Sequence, residues 1–538
     1  MLYPVSVGTQ LYRFAMPISG PTLNAPIKLP EILNKGLATK PDADALVSRR
    51  QRWSWRGLDD ASTRLAAGYL DLGLEPGDRV ASLMPNRTEL LVHYIACMKS
   101  GLVAMPLNYR YMAPEIDHAL SVGGARILLA HTERRKDLAA SKLAKALPLG
   151  HIDYDDEDED SNKSKHTRFQ SLLEAAPTRA IKAPGPGQPA IIFFTSGSTG
   201  KPKGVCHSFE TLGWIVASAI ESFEMGPEDV MMAAGSASHV GGHHLSMITL
   251  ATAGRVVMAR TCDGDEILPL LREERPTKVW MLPSALYALV HDHKATREDF
   301  SSVRACFSGG DKVSEALERD FTQLTGIAID EDYGMTEIGI PTVTPPSGFR
   351  IGSVGPLAPG YQASLRDAGG REVETDVAGR LWIKFPGNMV GYWNNPEATA
   401  ETVVDGWLDT GDVMSADRDG YLWFHGRQKQ IIIHDGSNIC PQEVEAALLE
   451  HEAVLAAGVI GVHDPRHGER VRGYVTLDAT VSPPAMQDLI RFARARVGYK
   501  APEEIVVLDD MPLNATGKVD RVTLKQWAAT GVPGTSAR

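Results

Sequence analysis

One stretch of the chain combines glycines, hydroxyl groups and lysines in the way that a polyphosphate-binding loop requires. It is Thr195-Ser196-Gly197-Ser198-Thr199-Gly200-Lys201-Pro202-Lys203-Gly204, and it directly follows the apolar run AIIFF. Glycines let the backbone turn tightly and aim its N–H groups inward, while hydroxyls and ammonium groups add donors for phosphate oxygens. A Walker A loop is excluded, because Thr195 stands where its first glycine belongs and Pro202 follows Lys201. The pattern predicts phosphate binding and disfavours ordinary P-loop phosphoryl transfer.

The elements that must position this loop alternate between strand-like and helix-like stretches. The runs RILLAH, AIIFF, RVVMAR and KVWMLP are short, apolar and bounded by polar or turn residues, which is typical of buried parallel strands. The stretch TELLVHYIACMKS has apolar residues at helical spacing and meets Gly101, a predicted helix C-cap. This alternation predicts an α/β fold. A boundary near residue 427 predicts a large N-terminal domain of several subdomains, 1–427, and a smaller α+β C-terminal domain, 428–538.

Composition excludes several classes of protein. The 538 residues include 55 Lys and Arg against 67 Asp and Glu, a net charge of −12 without a dense basic run, which argues against nucleic-acid binding. The cysteines are odd in number and far apart, which predicts free thiols in a reducing compartment; they are Cys97, Cys206, Cys262, Cys306 and Cys440. With neither a membrane-spanning run nor a signal-peptide pattern, we expect a cytoplasmic protein. The acidic run 153–160 predicts a solvated surface loop.

A series of further motifs, in order and spacing, resembles the adenylate-forming (AMP-binding) superfamily of acyl-CoA synthetases, stand-alone adenylation domains and luciferase-like enzymes. They are YGMTE at 333–337, GNMVGYW at 387–393, WLDTGD at 407–412, GRQK at 426–429, NICPQEVE at 438–445 and PLNATGK at 512–518. The resemblance covers about residues 30–525. It implies an acid–thiol ligase that attacks the α-phosphate of ATP with a carboxylate, releases pyrophosphate, and transfers the acyl group from acyl-AMP to coenzyme A. ATP, Mg²⁺, coenzyme A and a small carboxylic acid are the implied ligands.

The resemblance also gives the motif residues expected roles in nucleotide binding. The loop should hold the β- and γ-phosphates, Tyr333 should lie against adenine, and Asp412 should accept hydrogen bonds from the ribose hydroxyls. Thr336 should bind the α-phosphate, and Glu337 should help to hold Mg²⁺. The implied nucleotide-binding residues are Thr195, Ser196, Gly197, Ser198, Thr199, Gly200, Lys201, Lys203, Gly309, Gly310, Asp332, Tyr333, Gly334, Asp412 and Arg427.

The C-terminal motifs imply a second set of roles that involve movement. Lys518 should stabilise the negative charge that builds between the α-phosphate and the attacking carboxylate. Lys429 matches the hinge about which the family rotates its C-terminal domain between the two half-reactions. Gly436 lies in the loop that should face the site during thioester formation.

His239 is expected beside the acyl pocket, where it would order the carboxylate or gate the coenzyme A tunnel. A histidine here argues against an amino-acid substrate, since amino-acid-activating relatives use an aspartate in this segment. The neighbouring His243 and His244 lack the partners of a metal site. Pocket residues at 239–244, 308–311 and 334–340 should select the acid, a fatty or an aromatic one. Trp214 and Trp280 would narrow the pocket or serve equally well in the core.

Some positions depart from the family pattern and weaken inference about the substrate more than about the reaction. They are Ala237, Ser238, Asp311, Asp332 and Arg380. Three alternatives stay open: an acyl-AMP ligase that loads a carrier protein, a non-catalytic nucleotide-binding regulator and a luciferase-like oxidase. The sequence also leaves the oligomeric state open, with a homodimer among the options.

Overall fold

Strands and helices alternate along the chain in the computed structural model, as the apolar runs predict. The structure describes residues 17–155, 168–175, 179–195, 202–345, 348–434, 437–464, 468–514 and 517–531. The helices are α1 (Asn34–Thr39), α2 (Trp55–Asp71), α3 (Thr88–Ser100), α4 (Ala113–Gly123), α5 (Arg135–Ala140), α6 (Lys142–Lys145), α7 (Arg168–Glu174), α8 (Phe209–Ser222), α9 (Val240–Ala251), α10 (Gly264–Glu274), α11 (Pro283–Tyr287), α12 (Glu315–Thr325), α13 (Pro396–Thr402), α14 (Pro441–Leu449), α15 (Met486–Val497) and α16 (Arg521–Thr530).

The strands fall at the predicted apolar runs and at further positions in the second half of the chain. They are β1 (Ile18–Ser19), β2 (Asp44–Val47), β3 (Arg52–Ser54), β4 (Arg79–Leu83), β5 (Val103–Pro106), β6 (Ile127–His131), β7 (His151–Tyr154), β8 (Pro189–Thr195), β9 (Lys203–Ser208), β10 (Val230–Ala234), β11 (Arg255–Val257), β12 (Lys278–Met281), β13 (Ala305–Gly309), β14 (Ile329–Met335), β15 (Gly339–Val343), β16 (Gly355–Pro356), β17 (Gln362–Arg366), β18 (Gly379–Lys384), β19 (Gly391–Tyr392), β20 (Val403–Val404), β21 (Trp407–Ala416), β22 (Tyr421–Arg427), β23 (Ile432–His434), β24 (Ser437–Ile439), β25 (Val454–Asp464), β26 (Gly468–Leu477) and β27 (Glu504–Val507).

Two mixed sheets with parallel centres form the framework of the larger, N-terminal part. Sheet 1 has the strand order β15-β14-β13-β12-β10-β11-β2-β3, and sheet 2 has the order β19-β9-β8-β5-β4-β6-β7. Strands β10, β12, β13 and β14 run parallel, whereas β15 returns antiparallel to β14. Parallel strands linked by helices are the α/β architecture that the sequence predicts, and this prediction is confirmed.

The largest apolar core lies where helices α2, α3, α8 and α9 pack between sheets 1 and 2. Its aromatic members include Tyr94 and Phe193, both almost wholly buried. Full burial of such a side chain stabilises the fold by about 1.5–3 kcal/mol. Because the helices and sheets share this core, the loops at the strand ends are anchored to a rigid base.

Two mainly antiparallel sheets are built mostly from the second half of the chain, although β1 joins one of them and β27 runs parallel to β26 in the other. Sheet 3 has the order β1-β17-β18-β21-β22-β16 with β20 on β21, and sheet 4 has the order β24-β23-β26-β25 with β27 on β26. Sheet 4 has a core of its own, in which Ile432 of β23 packs with Val444 of α14 and Leu489 of α15. The chain passes from sheet 3 to sheet 4 through a short 3₁₀ turn at Gln428–Gln430. The smaller α+β C-terminal domain is thus confirmed, while its first residue, 428, stays a prediction.

Local signals behave as the sequence predicts. Gly101 caps α3 in the left-handed conformation, with φ of 70°, which glycine adopts without steric cost.

The five cysteines all lie in described ranges and are free thiols. Most of the acidic run 153–160 lies outside the described residues; its first two residues end β7. Within the described ranges, every helix is too short or too polar to cross a lipid bilayer.

Candidate active site

The polyphosphate-loop candidate is held between two antiparallel strands of sheet 2. Thr195 ends β8 and pairs with Lys203, which begins β9. Within the loop, residues 196–201 lie outside the described residues, so Ser196, Gly197, Ser198, Thr199, Gly200 and Lys201 stay predictions. The Lys203 ammonium lies 4.1 Å from the centroid of the Tyr392 ring. A cation over an aromatic face is attracted to it, so the loop's last lysine is directed towards β19.

Tyr392 connects this loop to the carboxyl group of Glu337. Its hydroxyl donates a 2.9 Å hydrogen bond to Oε1 of Glu337. Glu337 is 6% exposed. Burial raises the pKa of Glu337, and the Tyr392 hydroxyl together with the charges of Arg427 and Lys203 opposes that rise. A buried carboxylate is therefore presented next to the loop that is predicted to hold phosphates.

The backbone around Glu337 is fixed from two sides. Nε2 of His207 lies 2.8 Å from the carbonyl oxygen of Thr336, and because a carbonyl only accepts, Nε2 carries the proton and donates. The backbone N–H of Met389 donates to the carbonyl of Glu337 at 2.8 Å. Burial lowers the pKa of His207 to about 4, although the bond to Thr336 raises it. The neutral histidine therefore serves as a stable donor at neutral pH.

Tyr333, Asp412 and Arg427 form a second cluster where β14 of sheet 1 meets β21 and β22 of sheet 3. The Tyr333 hydroxyl donates to Oδ2 of Asp412 at 2.6 Å, and Nε of Arg427 lies 3.2 Å from Oδ1. Asp412 is 1% exposed. Among the described residues, no donor forms a well-aligned hydrogen bond with its buried Oδ1. Burial raises the pKa of Asp412, and Arg427 is the main group that opposes this. The cluster thus contains a buried acceptor atom ready for a hydroxyl ligand.

The predicted glycines near Tyr333 are explained by close backbone and side-chain packing. A Cβ at Gly334 would lie 2.6 Å from the carbonyl oxygen of Gly339, and one at Gly309 would lie 2.4 Å from Oδ2 of Asp332. Gly310 has φ of +84°, a region that side chains disfavour. Asp332 itself turns away from Tyr333, and its Oδ1 accepts a 2.7 Å hydrogen bond from Nε1 of Trp280.

Lys518 reaches the same region from the C-terminal part of the chain. It lies in a tight turn in which its N–H donates to Oδ1 of Asn514 at 3.1 Å. Solvent can still reach its side chain. Desolvation lowers the pKa of Lys518; of the nearby charges, Asp311 and Asp412 raise this pKa and Arg427 lowers it. The charge of Lys518 is therefore near enough to Asp412 and Arg427 to interact with them electrostatically.

His239 lies at the start of α9. Its Nε2 is 3.2 Å from the amide nitrogen of Asn108. Burial lowers the pKa of His239 to about 4, and the positive charges of Lys518 and Arg110 lower it further. The imidazole is therefore neutral at physiological pH. His243 and His244 lie deeper on α9, fully buried, with their Nδ1 atoms 3.1 Å apart.

The structure describes little of the two residues that are predicted to act in domain rotation, Lys429 and Gly436. Lys429 lies in the 3₁₀ turn between sheets 3 and 4, and only its backbone is described. Gly436 lies outside the described residues. Nothing in the described ranges therefore tests the roles of these two residues.

Sequence reasoning missed the roles of two partner residues, Tyr392 and His207, and the contact between Trp280 and Asp332. Tyr392 belongs to the GYW motif, so that motif was a usable signal for the Glu337 contact. His207 bonds a residue 129 positions away, and Trp280 bonds one 52 positions away. Because neither pair is local, no periodicity in the sequence marks it.

Comparison with known proteins agrees with this geometry. The family model "AMP-binding enzyme" matches residues 33–393, and the model "AMP-binding enzyme C-terminal domain" matches residues 443–518. The first match alone spans most of the chain, so the chain belongs to the AMP-binding enzyme family. The sequence-based identification of this family is confirmed.

Individual relatives are similar over nearly their whole lengths. A feruloyl-CoA synthase of an Amycolatopsis species is 33% identical, covering 89% of this chain and 94% of the relative. An indoleacetate–CoA ligase of Aromatoleum aromaticum is 30% identical, covering 94% and 98%. The crystal structure of ATP-bound MatB from Rhodopseudomonas palustris superposes with a TM-score of 0.85 at 27% identity, covering 94% of this chain and 100% of that chain.

Proposed function

We propose that this protein is an ATP-dependent acyl-CoA synthetase, an AMP-forming acid–thiol ligase that converts a carboxylic acid to acyl-AMP with release of pyrophosphate and then to an acyl-CoA. One observation carries this proposal beyond family membership. Lys518, from the C-terminal part, lies within the electrostatic influence of Asp412, Arg427 and His239 of the N-terminal part. Its positive charge is therefore near enough to the predicted nucleotide site and to the predicted acid site to interact with both.

ATP is held by two groups of residues in this proposal. Oδ1 of Asp412 is buried and, apart from its ion pair with Arg427, receives no well-aligned hydrogen bond from the described residues, so it suits a ribose hydroxyl. Tyr333 presents its ring beside that site for the adenine, next to Gly309 and Gly310. The loop from Thr195 to Lys203 receives the β- and γ-phosphates.

The residues present also fit a magnesium ion. The described ranges contain no group of three or more His, Cys, Asp or Glu that could bind a metal. Mg²⁺ needs none, because it takes one or two carboxylates and otherwise binds substrate phosphates and water. Glu337 supplies one such carboxylate beside the phosphate loop, buried and oriented by Tyr392. When bound there, the ion would neutralise phosphate charge.

In the adenylation step, the substrate carboxylate attacks the α-phosphorus, the bond to the bridging oxygen breaks, and pyrophosphate leaves. In this proposal Lys518 bridges the attacking carboxylate and the α-phosphate, and Thr336, whose backbone carbonyl is bound by His207, donates to the same phosphate. Preorganised charge of this kind lowers the barrier without any rearrangement at the moment of reaction. In this proposal His239 borders the site of the acid. Because it is neutral, it does not attract the carboxylate as a cation would.

The thioester step needs a different set of groups at the same place. The coenzyme A thiolate attacks the acyl carbonyl and AMP leaves, so Lys518 must withdraw. We propose that the hinge is at Lys429, just after the boundary between the N-terminal domain, 1–427, and the C-terminal domain, 428–538, and that the coenzyme A-side loop is at Gly436. The short 3₁₀ turn between the two sheets supports this placement, because such connectors absorb large changes of φ and ψ.

The proposed function also implies a cellular location and a set of binding partners. Five free thiols suit a reducing compartment, which supports a cytoplasmic location. The partners are a small carboxylic acid, ATP and coenzyme A. Assembly into a homodimer stays open, and the dependence of sedimentation on protein concentration would decide it.

Pyrophosphate release with a panel of carboxylic acids tests the function. The panel holds fatty acids, benzoates and cinnamates, each assayed with and without coenzyme A. Turnover that requires coenzyme A, with the acyl-CoA identified by mass spectrometry, is the expected result. A single burst that coenzyme A leaves unchanged would point instead to a carrier-protein acceptor, and absence of pyrophosphate with every acid would refute adenylation.

A further inference from the structure

The carboxyl group of Asp332 is buried beside the candidate site but is not directed at the nucleotide residues. Its Oδ1 accepts a 2.7 Å hydrogen bond from Nε1 of Trp280, and only 9% of the residue is exposed. Among the described residues, this indole N–H is the only hydrogen-bond donor that reaches the carboxyl group. An ionised carboxylate can accept about four hydrogen bonds. Most of its accepting capacity is therefore unused by the described protein.

The direction of Asp332 follows from its position on β14. Asp332 pairs with Gly309 of β13, and its Oδ2 fills the space that a Cβ at Gly309 would occupy. The next residue, Tyr333, points to Asp412. Because successive side chains of a strand point to opposite faces, Tyr333 serves the nucleotide side and Asp332 serves the side covered by α9.

The residues that pack around Asp332 connect it to the start of α9, where His239 lies. A Cβ at Gly241, in the first turn of α9, would lie 3.5 Å from Cη2 of Trp280, so the indole packs against that turn. The same turn begins at His239, whose pKa is lowered in part by the charge of Lys518. The start of α9 therefore connects the region near Lys518 to Trp280 and to Asp332. A carboxylic acid with its reactive end at Lys518 would extend its body towards this pair.

We propose that Asp332 is a specificity-determining residue for the acid substrate, accepting a hydrogen bond from a hydroxyl, N–H or amino group on the body of that acid, with Trp280 fixing the orientation of the carboxyl group. This assignment rests on the proposed function. A plain hydrocarbon chain would remove water from the carboxyl group and return no hydrogen bond, which is unfavourable. The protein should therefore select acids with such a donor over unsubstituted fatty acids. Burial raises the pKa of Asp332 to about 7, so an added donor would favour its ionised form.

Matched pairs of acids test this assignment. Each pair has a hydroxyl or amino group in one member and a methyl group in the other, at the 3- or 4-position of benzoate and cinnamate, with decanoate as the hydrocarbon reference. Pyrophosphate release gives kcat/KM, and calorimetry with a non-hydrolysable ATP analogue gives binding. We expect the wild type to prefer the donor-bearing member of at least one pair roughly tenfold to a hundredfold, the range for a hydrogen bond to a charged group.

The variants are Asp332→Leu, Asp332→Asn and Trp280→Phe, with Glu331→Gln as the matched control. Glu331 is the adjacent buried acid, but its carboxyl group accepts from the backbone N–H of Val313. Asp332→Leu should abolish or reverse the preference, Trp280→Phe should weaken it, and Glu331→Gln should preserve it. Asp332→Asn keeps the size of the side chain and should reduce the preference even if the leucine variant does not fold.

The outcomes separate this assignment from the ligase activity. If both members of every pair are ligated to coenzyme A with equal kcat/KM, the assignment is overturned and the ligase stands. If no acid is turned over, but binding prefers the donor-bearing member and Asp332→Asn removes that preference, the assignment stands and the ligase fails. Equal binding and equal turnover within every pair, or an equal effect of Glu331→Gln, also overturn it.

Discussion

The hydroxyl group of Tyr333 donates a 2.6 Å hydrogen bond to Oδ2 of Asp412, a residue 79 positions later in the chain. The bond joins the end of a strand in sheet 1 to a strand in sheet 3. It fixes the aromatic ring and uses one oxygen of a carboxyl group whose other oxygen, Oδ1, is buried and, apart from its ion pair with Arg427, receives no well-aligned hydrogen bond in the described structure. The predicted adenine and ribose contacts are thus built as one unit.

Replacing Asp412 should therefore weaken ATP binding. Asp412→Ala removes both the ribose acceptor and the anchor of Tyr333, and loss of a hydrogen bond to a charged group predicts a KM for ATP about tenfold to a hundredfold higher. Tyr333→Phe keeps the ring and should change the KM by less. Pyrophosphate-release kinetics at varied ATP measure both effects. Asp409→Asn is the control, because Asp409 lies on the same strand but bonds Arg380; an equal effect there would argue against the ribose role.

Lys518→Ala should separate the two half-reactions. Adenylation should slow by about 10²–10³, the range for removing one group that stabilises transition-state charge. Thioester formation from supplied acyl-AMP should continue near the wild-type rate, because the proposed rotation of the C-terminal domain moves Lys518 out of the site in that step. Lys525→Ala, which removes an exposed lysine of α16, is the matched control. Equal loss of both half-reactions in Lys518→Ala would contradict this division of labour.

Lys429→Pro should slow the thioester step more than adenylation. Proline fixes φ near −65° and restricts the residue before it, so a hinge at this position could no longer rotate freely. Lys429→Ala keeps a flexible backbone and should leave the thioester step close to the wild-type rate. Single-turnover assays that start from ATP or from acyl-AMP resolve the two steps. Wild-type rates for both steps in Lys429→Pro would show that the hinge lies elsewhere.

The sequence was most informative where chemistry depends on short motifs. The α/β class, the strand leading into the phosphate loop and the cap at Gly101 are local signals, so they could be predicted residue by residue. The approach of Lys518 to Asp412 could be expected only from the family resemblance, because 106 positions separate the two residues. Motif order thus supplied long-range information that periodicity lacks.

Contacts across sheets could not be predicted in the same way. The bonds between Tyr392 and Glu337 and between Trp280 and Asp332 join residues 55 and 52 positions apart, and each depends on the packing of two strands. Asp332 illustrates the limit, because its position in the YGMTE region suggested the nucleotide, whereas strand alternation turns its side chain to the other face. Such side-chain direction becomes visible only once the register of the sheet is known.

Asp330 should make a contribution to the stability of the fold that is lost as pH rises towards 7. Asp330 is 2% exposed, and its Oδ1 lacks a hydrogen-bond partner in the described structure. Burial, together with the negative charges of Glu318 and Glu224, raises its pKa from 3.8 to about 7. A pKa raised by folding means that the folded state holds the proton more tightly, so this contribution to stability is fully present below about pH 4 and is lost as pH rises through 7. For one titrating group, the slope is about 1.4 kcal/mol per pH unit at most.

Asp330→Asn removes this ionisation while nearly preserving the shape of the side chain. Thermal unfolding between pH 4 and pH 8 measures this. The Tm of the variant minus the Tm of the wild type should increase with pH up to about pH 7 and stay constant above it. Parallel curves over the whole range would mean that Asp330 is ionised in the folded protein at acidic pH. The buried carboxyl group would then have a stabilising partner that the described structure does not show.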